Sequence, residues 1–90
     1  GPHFKLSPAV SISVNVDTQA EVDRLWDALL ADGGAESRCG WLTDRFGLSW
    51  QIIPRALPRL LQSDQSGRVM QAMMGMVKLD IATLEAAARG

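Results

Sequence analysis

The chain has 90 residues, 47% of them hydrophobic and 21% charged, with a formal net charge of −1 and one cysteine. That length supports one small domain with a modest core, and that composition excludes a disordered polymer. Near-neutral charge excludes the electrostatic footprint of a nucleic-acid or anionic-membrane binder, and a lone thiol excludes a disulfide framework or a cysteine-cluster metal site.

The chain opens with Gly1-Pro2 and no initiator methionine, which is expected to mark a cut from something longer or a scar of tag removal. No secretory signal is visible, and the longest uncharged stretch, Leu6 to Val16, is too short to span a bilayer. A cytoplasmic location is therefore expected. From Pro8 to Val16, Val10, Ile12, Val14 and Val16 alternate with Ser11, Ser13 and Asn15. This period of two predicts a strand with one apolar and one polar face. Asp17 or Thr18 then caps a helix, and Thr18 with Glu21 has capping-box spacing. Val22, Leu25, Trp26, Leu29 and Leu30 form one apolar stripe, with Gly33 suited to the left-handed C-terminal cap.

Residues 35–46 predict a second extended region, with Trp41, Thr43 and Arg45 on one face and Leu42, Asp44 and Phe46 on the other. Cys39 within it reads as a small half-buried residue. Gly47 supplies a turn, and Leu48, Trp50 and Ile52 alternate with Ser49 and Gln51 up to Pro54, so residues 40–53 predict a hairpin. Beyond Pro54 the period becomes helical. Leu57, Leu60 and Leu61 form one short face, residues 63–67 are a polar break, and Val69, Met70, Met73, Met74 and Val77 form another face. Asp80 caps a last helix with Ile81, Leu84 and Ala88. The methionines at 70, 73, 74 and 76 read either as an adaptable binding surface or as a packed helix core or subunit contact.

Strand, helix, hairpin and short helices make an α+β chain: residues 1–54 as a module of about three strands under one covering helix, and 55–90 as a helical tail. If Trp50 and Ile52 pack under the helix with the valines, Ser49 and Gln51 must face the other way with Ser11, Ser13 and Asn15. So small a sheet exposes its edges and predicts partner strands, from a missing half or a second chain.

The stretch from Cys39 to Pro54, CGWLTDRFGLSWQIIP, closely resembles the CGWLxDxFGxSWQIxP signature of PhnB-like proteins, often labelled demethylubiquinone methyltransferase-like. These are members of the vicinal oxygen chelate superfamily, with the glyoxalases, bleomycin-resistance proteins and extradiol dioxygenases. Residues 2–5, 19–26, 68–73 and 78–85 extend the resemblance. It implies a βαβββ-type half-module with a cupped sheet. Two such modules pair around a ligand, so it also implies self-association or a missing first module.

The resemblance aligns Gln51 with the position where metal-binding relatives place a glutamate. An amide brings only a dipole where a carboxylate brings charge, and the single histidine, His3, is the one other candidate ligand. His3 and Gln51 make a poor metal site, because catalytic first-row sites usually need three protein ligands. No metal is expected from this module alone, and the cofactor is left open.

The function expected is a small-molecule-binding domain, its pocket lined by Ser11, Ser13, Asn15, Ser49 and Gln51 with Trp41 as an aromatic wall. The alternative is a metal-dependent lyase, isomerase or dioxygenase with most ligands outside this chain. A third reading makes the fragment an assembly element whose methionine-rich helices and sheet edges form a dimer contact. The methyltransferase label has no glycine-rich nucleotide loop to support it. Neither nucleic acid nor membrane is an expected partner.

Overall fold

The computed structural model describes residues 11–90. His3, the segment 2–5 and residues 8–10 of the expected first strand lie outside them. In chain order the elements are β1 (Ser11–Val16), α1 (Gln19–Leu30), β2 (Ala35–Glu36), β3 (Trp41–Thr43), β4 (Ser49–Pro54), α2 (Ala56–Ser63), α3 (Arg68–Met74) and α4 (Ile81–Arg89). The sheet is open and curved, with four strands in the order β1-β4-β3-β2. β1 and β4 run parallel, while β3 is antiparallel to both β4 and β2. This is the βαβββ half-module of the vicinal oxygen chelate fold, followed by three short helices.

The alternation in β1 and β4 sets the layers. Val14 and Val16 lie opposite Ile52 and Pro54, and Leu42 lies opposite Trp50, so these side chains share the face beneath α1. Val16, Val22, Trp26, Leu42 and Ile52 are buried there, with Leu25, Leu29, Leu30 and Trp50 packed around them. Thr18 begins α1 with a complete capping box: its hydroxyl accepts from the Glu21 N–H at 3.2 Å, and the Glu21 carboxylate accepts from the Thr18 N–H at 3.2 Å. Trp26 is not wholly apolar in its contacts, because its indole N–H donates to Glu36 Oε2 at 2.8 Å and ties α1 to β2.

Two local expectations are corrected. Residues 35–46 do not form one strand; a turn at 37–40 divides β2 from β3, with Cys39 at φ 58° and Gly40 at φ 84°. A Cβ on Gly40 would stand 2.9 Å from the Ile52 carbonyl oxygen and 3.1 Å from Leu79 Cδ1, so only glycine allows the chain this close. The left-handed residues after α1 are Asp32 (φ 61°) as well as Gly33 (φ 114°). Phe46 is not on a strand face; it stands 71% exposed in the β3–β4 turn.

The tail builds a second core from Leu57, Val69, Leu79 and Leu84, with Ile53 and Met73 packed against it. The expected methionine face is therefore narrower: Val69 is buried, whereas Met70, Met74 and Val77 are exposed. Asp80 caps α4, accepting from the Thr83 N–H at 3.0 Å. No helix of the described residues is long and apolar enough to cross a membrane.

Candidate functional site

Strand register brings the six residues expected to line a pocket onto one face of the sheet. Ser11 lies opposite Ser49, Ser13 opposite Gln51, and Gln51 opposite Trp41 on its other side. Cross-strand partners point the same way, and their neighbours Trp50 and Ile52 point into the α1 core, so Ser11, Ser13, Asn15, Trp41, Ser49 and Gln51 face away from it. β4 thus has two faces, one apolar and one polar. Gln51 occupies the second, between a serine and a tryptophan.

The six are not equally accessible. Ser11, Ser13 and Asn15 are exposed, Gln51 and Trp41 are half-buried, and Ser49 is 3% exposed and so forms floor more than lining. Among the described residues, the Gln51 carboxamide makes no side-chain hydrogen bond. Thr43 lies opposite Ser49 and joins the same face. The same alternation places it there, although the expected pocket does not include it. At the far end Ile53, opposite Asn15, packs against the tail core, so the tail borders the face there. None of the six side chains titrates near neutrality, and the face therefore acts through neutral hydrogen bonds and one aromatic ring.

Metal donors are not gathered on it. Among the described residues no three of His, Cys, Asp or Glu come together, and the position the resemblance aligns with an acidic ligand is the neutral Gln51. His3 lies outside the described residues. The described donor set does not fit a resident divalent ion.

Much of the hairpin sequence serves architecture. Asp44 Oδ1 accepts from the N–H groups of Phe46 (2.9 Å) and Leu48 (3.0 Å), and Oδ2 accepts from the Trp50 indole at 2.9 Å. The Trp50 indole is the main cause that holds the Asp44 carboxyl below its ordinary range; the N–H groups of Leu48 and Phe46 add to it and burial opposes it. Aspartate, turn and tryptophan therefore stand at this spacing for a structural reason: one carboxylate closes the turn and orients the indole. A functional reading of the hairpin rests on Ser49 and Gln51, which that network leaves out.

The geometry can be set against known proteins. Residues 1–53 match the family model described as 3-demethylubiquinone-9 3-methyltransferase. Among solved structures, the crystal structure of protein PA1353 from Pseudomonas aeruginosa is 33% identical with a TM-score of 0.52, the match covering 59% of this chain and 47% of that one. The chain thus spans about half the length of that solved protein. A comparison with curated proteins finds no match. A family match over more than half of the chain, on a βαβββ sheet carrying the hairpin described above, makes this protein a member of the 3-demethylubiquinone-9 3-methyltransferase family, of the PhnB-like, vicinal oxygen chelate type.

Proposed function

We propose that the chain is a small-molecule-binding domain whose ligand lies on the polar face of the sheet. One observation carries this reading: the register sets Gln51 between Ser13 and Trp41, an amide flanked by a hydroxyl and an aromatic wall. A few convergent polar groups beside an aromatic surface are what ligand pockets use to fix orientation. On an open sheet the face is one wall, and the opposing wall comes from a second copy or from another module of the same fold. That arrangement also covers the β1 edge, which among the described residues pairs only with β4. The neutral residues favour a polar, uncharged ligand with a planar portion that stacks on Trp41, and the setting proposed is cytoplasmic.

The test is a titration of the isotope-labelled chain with a panel of small polar aromatic compounds, followed by amide and indole resonances. Saturable shifts at Ser13, Gln51 and the Trp41 indole N–H, abolished in Gln51→Leu, support the reading. Saturable shifts confined to residues outside this face, or binding indifferent to Gln51→Leu, would overturn it.

A further inference from the structure

A cleft of about 320 Å³ lies away from the polar face, between the end of α1 and the β3–β4 turn. Ala28, Leu29 and Ala31 give it an apolar side, and Asp32, Asp44, Arg45 and Phe46 its polar and aromatic side. The volume is within the range of small-ligand sites. Its charge is unbalanced: two carboxylates, Asp32 and Asp44, line it against one guanidinium, and Asp32 is the one paired with it. The α1 C-terminus adds the negative end of a helix dipole, and the last turn of α1 contains no basic residue to offset it.

Arg45 shows where a cation sits. Its guanidinium carbon lies 4.6 Å from the centre of the Phe46 ring, and its Nη1 is 3.4 Å from Asp32 Oδ2. That ion pair is long, and its side chains are 52% and 75% exposed, so it holds Arg45 weakly and an external cation can displace it. Phe46, at 71% exposure, offers the kind of aromatic surface that recognises ammonium groups.

We propose that this cleft binds a small organic cation, an amine or quaternary ammonium with an apolar body, and that Arg45 occupies the cation position when no ligand is present. The ammonium takes the place of the guanidinium over Phe46 beside Asp32, and the apolar body lies against Ala28, Leu29 and Ala31. An anionic ligand would meet Asp32, Asp44 and the helix terminus, with only Arg45 in its favour.

The experiment titrates the full chain with benzyltrimethylammonium, with benzyl alcohol and benzoate as neutral and anionic counterparts, following the amides of Ala28, Asp32 and Phe46. The ammonium should saturate with a dissociation constant on the order of 1 mM, and the two counterparts should not. Asp32→Asn should weaken binding roughly threefold to tenfold, and Arg45→Gln should strengthen it by about twofold to fivefold, because one removes attraction and the other a competitor. All three polar or aromatic positions probed, with Phe46→Ser as the third, are exposed, and an unchanged circular dichroism spectrum establishes that each variant folds. Tighter binding of benzoate, weakening by Arg45→Gln, or no saturable shift by the ammonium would overturn the proposal.

Discussion

Asp44 and Gln51 stand seven residues apart in the hairpin signature and show two ways in which a polar side chain enters an apolar stretch. The Asp44 carboxylate accepts three hydrogen bonds, all from donors within six residues, and is spent on the turn. Gln51 makes none to a described side chain and is left on the polar face. Alternation alone puts Gln51 there, but it says nothing of Asp44, whose partners are backbone N–H groups and an indole in a turn without period. Asp44→Asn puts an amide N–H against the Trp50 indole N–H whenever its oxygen serves the two backbone donors, and it should lower the thermal midpoint at pH 7. The folded carboxyl titrates below its unfolded value of about 3.9, so its contribution is complete above that value and disappears as pH falls through the lower folded value. The midpoint difference between Asp44→Asn and the parent should therefore shrink as pH drops below about 4. Thermal unfolding across that range checks it, and a difference that is the same at pH 7 and at pH 2 would count against the network.

At the scale of elements, the strongest periodic signals became structure. The Thr18–Glu21 capping box, the stripe from Val22 to Leu30 and the alternation of β1 and β4 are local patterns, and local patterns survive without knowledge of neighbours. The break at 37–40 was not legible, because it depends on a distant contact. Cys39 and Gly40 donate to the carbonyls of Met76 and Val77 at 2.9 and 2.8 Å, so the tail takes up backbone donors of this turn. Likewise the cation cleft joins Asp32, after α1, to Arg45 and Phe46, in a turn, and no spacing announces it. The layers make a graded prediction. Ile52 is fully buried between the sheet and α1, so Ile52→Ala should cost about 2–5 kcal/mol in chemical denaturation. Thr18→Ala removes one half of the capping box and should cost about 1 kcal/mol. An Ile52→Ala cost no larger than that of Thr18→Ala would contradict the packing described.

Across the described residues two cores share one small chain, the sheet core under α1 and the tail core around Leu79, and polar bonds link them. Gln19, the first residue of α1, supplies the most concentrated link. Its Nε2 donates to the Leu79 carbonyl at 3.0 Å and to Asp23 Oδ1 at 3.0 Å, while its Oε1 accepts from the Ile81 N–H at 2.8 Å. Beside it Lys78 pairs with Asp23 at 2.8 Å. This junction is distinct from the backbone bonds of Cys39 and Gly40, and together they hold the tail at the border of the polar face. Gln19→Met keeps the side chain's length but leaves a part-buried carbonyl and N–H without their partner, a cost of about 1–3 kcal/mol. Because the tail has a core of its own, that cost should appear as local opening. Hydrogen exchange should then quicken at Ile81, Cys39 and Gly40 while Leu42 and Ile52, deep in the sheet, keep their protection. Equal acceleration at all five amides would mean that the two cores unfold as one unit, and the tail could not then move independently of the face it borders.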